Sequence, residues 1–275
     1  LDLYSMGFSL DADDARIKAA GEFLERYALL SLPQYTTIKT SIASLEKRGK
    51  RFLNPSDVAS AFQYGLQPKH IPPKEQEYRW VKGRSASDQT EVLLPAQLVF
   101  WQYTILQTPE PFIREANTNG AAGMFSVEQA LINGIYELIQ RDGFLIFWLN
   151  KISPPRISHS SIKDEKIQRV LQSLKRYNMD AVILDVTTDL GIPSYVSVIR
   201  DGEENHKIIS IGGGCNRSPE KAIYPSLMEA FVVHHGFRMH KGTFDLPKPY
   251  APFEYPVGQR DRLRLWANPN MYEHI

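Results

Sequence analysis

The chain has 275 residues, 32 Lys and Arg against 31 Asp and Glu, and 43% apolar residues. That length buries the core of one large domain or two small ones, and a net charge of +1 with interspersed signs excludes the polybasic footprint of a nucleic-acid binder. A single cysteine excludes a disulfide framework and a multi-cysteine zinc site and predicts a cytoplasmic protein. The longest apolar run, Phe144 to Leu149, falls far short of the ~20 residues of a membrane span, so no membrane partner is expected. The acidic N-terminus does not read as a signal peptide, and it starts without Met, which predicts a processed or truncated chain.

In chain order, Ala12 to Leu30 reads as a helix: Asp11 can cap it, and Ile17, Ala20, Phe23, Leu24 and Tyr27 recur at helical spacing. A polar stretch follows, then a short helix over Leu53 to Leu66. Gln76 to Pro95 reads as paired strands around a polar loop, Arg84 to Asp88, and Pro95-Ala96 opens an apolar segment through Trp101 and Tyr103. After the loop Asn117 to Gly123, Ser126 can cap a second helix, with Gln129 three residues on as a capping box requires. That helix runs into Phe144–Leu149, whose aromatics read as core. Lys163 to Tyr177 is an amphipathic helix, and Ala181 to Val186, Ser194 to Ile199 and Ile208 to Ile211 are strands. The last strand is expected to stop at Gly212-Gly213-Gly214, read as a turn. Ser218-Pro219-Glu220 starts a helix to about His235, kinked at Pro225. From Lys241 the chain is Pro-rich and irregular. The fold class is mixed α/β.

Two helices share the form Glu-x-x-(Glu/Gln)-Arg: Glu22 to Arg26 and Glu137 to Arg141. Glu229 is a third acidic position on an apolar helix. Each glutamate can pair with the arginine of its own helix or face water. The alternative is convergence of Glu22, Glu25, Glu137 and Glu229 on magnesium, which takes a few carboxylates plus substrate phosphates, with Arg26 or Arg141 meeting phosphate oxygens. Cys215 reads as a structural thiol, and the adjacent His234 and His235 as surface or partly packed side chains that cannot form an i, i+4 metal pair.

The order of motifs resembles the YcaO family, whose members activate peptide-bond oxygens in ribosomally made peptides with ATP. Lys18-Ala19-Ala20-Gly21-Glu22-Phe23-Leu24-Glu25-Arg26 is similar to the family's Ser-x-x-x-Glu-x-x-Glu-Arg. Thr118 to Ala122, Ser126, Ala130, Glu137, Arg141 and Asp142 follow its second motif, and Trp80 to Gly83, Val92 to Ala96, Asp185 to Pro193 and Gly212 to Glu229 complete the match. The resemblance implies a single domain over 1–275, lacking the family's C-terminal segment, with helices on antiparallel and mixed sheets around an inter-helix nucleotide site. It implies ATP and magnesium as cofactors, Glu22, Glu25, Glu137 and Glu229 on the metal side, and Glu22, Glu25, Arg141, Ser126, Lys18, Gln129 and Gln140 around the nucleotide.

Several positions depart from the family pattern. Lys18 replaces its Ser, Phe8 the Lys of a Gly-Lys-Gly, Met124 a Gly, and Gln129 and Gln140 two glutamates; Phe125 stands where a small or polar residue is usual. Two carboxylates lost and one ammonium gained change the local charge by about three units against divalent cations, which predicts weak magnesium-dependent ATP binding. Two expectations follow. The protein is either an ATP-dependent enzyme giving an azoline or a thioamide, or a catalytically degenerate YcaO-like partner that binds the peptide or the active enzyme. No leader-peptide-binding domain is visible, so a precursor peptide and a separate ThiF-like or TfuA-like protein are the expected partners, with a homodimer as a further one.

Overall fold

The computed structural model describes residues 5–30, 37–58, 72–101, 110–114, 116–202, 208–239 and 272. Among these, seven helices and six strands form two three-stranded antiparallel sheets, a mixed α+β architecture. The chain divides into two compact units, residues 1–5 with 20–118 and residues 6–19 with 119–275. Helix α1 (Ala12–Ala28) contributes to both, and its N-terminus is capped by Asp11, whose Oδ1 accepts the N–H groups of Asp13 and Asp14. None of the residues of α1 is buried, so its apolar stripe of Ile17, Phe23, Leu24 and Tyr27 stays open to solvent. No described helix is long and apolar enough to cross a membrane.

In the first unit β1 (Ile38–Ser41), β2 (Glu77–Arg84) and β3 (Glu91–Pro95) pair in sequence order. The expected hairpin is present, with Trp80 opposite Pro95 and Arg84 opposite Glu91. Strand β1 and the short helix α2 (Ile42–Lys47), capped by Ser41, lie in the stretch read only as polar. Of the helix expected over Leu53 to Leu66, the described residues show the turn α3 (Pro55–Val58), while Leu53 before it donates its N–H to the Leu93 carbonyl at 2.9 Å. Residues 59–66 of that expectation lie outside the described set, as does Tyr103. The apolar segment after Pro95 forms α4 (Ala96–Val99). Trp80 and Tyr78 are fully buried among Ile42, Leu45, Leu93 and Ile113, and the Trp80 indole N–H donates to the Thr40 carbonyl at 2.9 Å.

The second unit sandwiches a sheet between helices. Strands β4 (Met179–Asp185), β5 (Ser194–Asp201) and β6 (Ile208–Cys215) pair antiparallel in that order. Helices α6 (Glu165–Arg176) and α7 (Pro219–Met239) cover one face through Tyr195, Ile199, Ala222 and Leu227. Helix α5 (Val127–Leu149) covers the other through Phe144 and Phe147 against Val196, Val198 and Ile209, so the aromatics belong to the core as read. Covered on both faces, β5 is buried at seven of its eight positions instead of alternating.

Two expectations need correction here. The Gly212-Gly213-Gly214 run is not a turn that ends β6: the strand continues through it, with Gly212 opposite Ser197, Gly213 opposite Val196 and Gly214 opposite Tyr195. The reason is helix–strand distance. A methyl on Gly212 would overlap the Ala230 nitrogen, and one on Gly214 the Ala222 carbonyl, both on α7. A methyl on Gly213 would strike the Gln140 amide of α5 on the opposite face. Helix α7 also continues past His235 to Met239 with Pro225 inside it. The residues from Lys241 lie outside the described set apart from Tyr272, whose ring carries the Arg200 guanidinium at 4.7 Å.

Candidate functional site

Helix α5 places Glu137, Gln140 and Arg141 at i, i+3 and i+4, on one face. Ser126 caps it, its Oγ accepting the Gln129 N–H at 3.3 Å as the capping-box reading requires. The loop before the helix closes onto Gly134, where a methyl would sit 2.6 Å from the Gly120 carbonyl oxygen. Gly120 itself has φ +82°, a conformation that favours glycine. This close approach lets the Gly120 N–H donate to Glu137 Oε2 at 3.0 Å. On α7, Glu229 Oε2 accepts the Gly213 N–H at 2.6 Å.

Each carboxylate thus fixes one oxygen on a backbone N–H and turns the other to the same guanidinium. Arg141 Nη2 lies 3.5 Å from Glu137 Oε1 and 3.9 Å from Glu229 Oε1. The Arg141 Nε is buried and has no hydrogen-bond partner among the described residues. Crowding by protein atoms pushes the Glu229 carboxyl pKa up, against the opposing pull of the Gly213 N–H and Arg141, with Glu137 adding repulsion. The side chain still keeps 42% of its surface accessible, so water reaches it and moderates that rise. Gln140 is buried, its amide laid against Gly213. The arrangement turns one oxygen of each carboxylate toward the Arg141 guanidinium, whose Nε donor is unmatched among the described residues.

Of the residues singled out from sequence, Glu137, Gln140, Arg141 and Glu229 gather here. Gln129 stands about 12 Å up the helix axis from Glu137, at 1.5 Å per residue. Lys18 is engaged locally, its ammonium 2.8 Å from Asp14 and 3.4 Å from the Phe8 carbonyl. Glu22 and Glu25 belong to the first unit, where Glu22 pairs with Arg26 at 2.6 Å, the own-helix pairing that spacing allowed. The Arg26 guanidinium in turn sits 5.6 Å over the Trp101 ring. No group of three or more His, Cys, Asp or Glu suited to a metal occurs among the described residues.

Gly120 and Gly213 were not anticipated as site residues; the signal was the glycines themselves, read as loop and turn. His234 is another correction: it is buried, not at the surface, and its Nε2 lies 2.8 Å from Asp201 Oδ2 because α7 packs on β5. Burial holds the His234 pKa below 6.5, with Asp201 opposing. The two line or adjoin a cavity of about 650 Å³ that includes Leu174, Met228, Phe231 and Arg238 but none of Glu137, Gln140, Arg141 or Glu229. Burial pushes the Cys215 thiol up, in keeping with a structural role.

A family model described as YcaO cyclodehydratase, ATP- and Mg2+-binding, matches residues 6–274. An uncharacterised protein of the tfuA 3′ region of Rhizobium leguminosarum bv. trifolii is 24% identical over 233 residues, which is 82% of this chain and 53% of that one. The chain spans about half the length of the curated relatives it matches. Among solved structures, a heterocyclase in complex with substrate and cofactor superposes with a TM-score of 0.70 at 24% identity, over 82% of this chain and 31% of that one. The YcaO protein of Methanopyrus kandleri, bound with AMPPCP and Mg2+, gives 0.63 at 21% identity over 96% and 61%. At these identities the likeness establishes the fold.

Proposed function

Because the chain belongs to the YcaO family, we propose that it uses ATP to activate the oxygen of a peptide bond in a ribosomally made precursor peptide. The observation that carries this reading is Arg141: a guanidinium bracketed by two carboxylates from different helices, with a buried, unpartnered Nε. An orphaned donor of that kind costs about 1–3 kcal/mol unless a ligand oxygen meets it, and a phosphate supplies one. Glu137 and Glu229 would hold magnesium, as hard oxygen donors that share the ion with substrate phosphates. When bound, the ion supplies charge neutralisation on those phosphates.

The chain's own part is positioning. Arg141 orients a phosphate oxygen, and the Gly120 and Gly213 N–H groups keep the two carboxylates from rotating away. The peptide oxygen takes the γ-phosphoryl group and ADP is released. A neighbouring Cys, Ser or Thr adds to the carbonyl carbon, loses its proton and that of the amide nitrogen, and phosphate departs with the original oxygen to leave an azoline. Sulfide adding in its place gives a thioamide. The Rhizobium relative's tfuA neighbourhood supports a TfuA-like rather than a ThiF-like partner.

A second reading, a non-catalytic partner of a working enzyme, is favoured by Gln140, an uncharged amide in the middle of the cluster. One experiment separates the two. The protein, ATP, magnesium, a precursor peptide and a TfuA-like protein from the same genomic neighbourhood are incubated and the peptide is weighed by mass spectrometry. Loss of water identifies cyclisation, and exchange of oxygen for sulfur identifies thioamidation. Neither change, with no ADP formed, overturns the enzymatic reading.

A further inference from the structure

The second unit holds a cavity of about 650 Å³ that the activation of a peptide bond does not use. Helix α6 contributes Leu174 to its lining, α7 Met228 and Phe231, β4 Met179, and the segment before α1 Leu10. The volume lies within the ~300–1,000 Å³ of small-molecule sites. Methionine takes three of the lining positions, Met179, Met228 and Met239, and an unbranched thioether adapts its shape to an apolar guest. The polar groups are of one kind. Ser173, Tyr177, His234, His235 and Arg238 bring hydroxyl, imidazole and guanidinium donors, and among the described residues no carboxylate lines the cavity. Asp201 stands behind them, 1% exposed, with His234 Nε2 at 2.8 Å and Arg238 Nη1 at 3.7 Å, so its charge is answered within the wall. The Arg238 side chain is half-buried and reaches both the cavity and water.

We propose that this cavity is a second ligand site, for a small organic acid with an apolar body and one carboxylate. The body lies among Leu174, Met228 and Phe231, and the carboxylate meets the Arg238 guanidinium in a charge-assisted hydrogen bond. One negative charge suits the site better than the several of a nucleotide. A single guanidinium lines it, and Asp201 already shares that group. His235, Arg238 and Met239 also belong to the C-terminal end of α7, where backbone carbonyls oppose a high negative charge. The site is separate from the acidic cluster. Met228 lines the cavity, whereas Glu229 beside it turns to Gly213 and Arg141.

Calorimetric titration of the full chain with decanoate, kept below its micelle-forming concentration, tests this. Decanoate should bind at one site with a Kd of about 10–100 µM, and octanoate, two methylenes shorter, roughly tenfold more weakly. Decanol carries the same tail without the charge. Arg238→Gln should weaken decanoate about tenfold and leave decanol unchanged, whereas Arg238→Lys, which keeps the charge, should retain most of the affinity. Ser173→Trp, at an exposed position of the lining, should fill the cavity and abolish binding of both probes. Arg141→Ala should alter neither, so a failure of the nucleotide reading leaves these measurements intact. No saturable decanoate binding by the unaltered chain overturns the proposal. Binding that survives in a folded Ser173→Trp chain assigns the uptake to the exposed apolar residues of α1 and α5 and overturns it as well. Equal losses of decanoate and decanol in Arg238→Gln remove the carboxylate contact, and that comparison stands whether or not the tryptophan variant folds.

Discussion

Gly213 donates its backbone N–H to the carboxylate of Glu229 at 2.6 Å, although sixteen residues and the turn from strand to helix separate them. The contact exists because β6 carries no side chains where α7 and α5 press on it. Gly212→Ala and Gly214→Ala should each lower stability by about 1–3 kcal/mol, since backbone atoms of α7 have no rotamer with which to yield. Gly236→Ala, in α7 with open space around it, should instead raise stability by roughly 0.5–1 kcal/mol. Thermal denaturation of the three variants decides the matter, and equal losses at all three would remove helix–strand distance as the cause.

Arg141→Ala should weaken ATP binding by about 10- to 100-fold, the value of one charge-assisted contact of ~1.5–3 kcal/mol. Arg141→Lys should not recover it, because an ammonium lacks the Nε donor that is unmatched among the described residues. Calorimetric titration with ATP measures both. Undiminished affinity in the alanine variant would remove Arg141 from the nucleotide site.

The substitutions that set this chain apart from its family need not act alike. Gln140 lies in the cluster, whereas Lys18 is tied to Asp14 and Phe8. Gln140→Glu should strengthen magnesium-dependent ATP binding about tenfold or more by adding a third carboxylate beside Glu137 and Glu229. Lys18→Ser should leave it unchanged. Titrations with and without magnesium check this, and the reverse ranking would show that Lys18, not Gln140, sets the metal requirement.

His234 gives stability a pH dependence whose sign follows from its environment. Burial holds the folded-state pKa below 6.5, with Asp201 pulling it up and Arg238 and His235 pushing it down. The unfolded chain therefore binds a proton that the folded chain refuses. The contribution is fully present above pH 6.5 and is lost as the pH falls toward the folded pKa, by at most ~1.4 kcal/mol per pH unit. Urea denaturation over about pH 5 to 8, the range in which histidine titrates, should show this slope in the native protein and not in His234→Gln. Parallel profiles for the two would assign the acid sensitivity elsewhere.

What could be read from the sequence tracks how local its cause is. Helix α6 was legible because its apolar face repeats within twelve residues. The hairpin of β2 and β3 was legible because its partners adjoin. Strand β1 was not, because Ile38-Lys39-Thr40-Ser41 alternates weakly and is a strand only by pairing with β2. The glycines of β6 look like a turn in isolation, and only the closeness of α5 and α7 makes them strand. At the site, Glu137 and Arg141 announce themselves by spacing, and Glu229 as an acidic residue on an apolar helix. The two backbone donors that aim the carboxylates leave no mark of their own, because every residue but proline has an N–H.

Among the described residues strand β6 is the last of its sheet, with β5 on one side only. The N–H groups along such a free margin are a template on which another extended chain can lay itself, the route by which sheets grow and proteins aggregate. Glu229 occupies one of those outward donors at Gly213. The carboxylate that faces Arg141 with one oxygen therefore acts with the other as a stopper on the open margin. Drawing Glu229 away would unblock a rung for an incoming strand at the point where the two acidic helices converge.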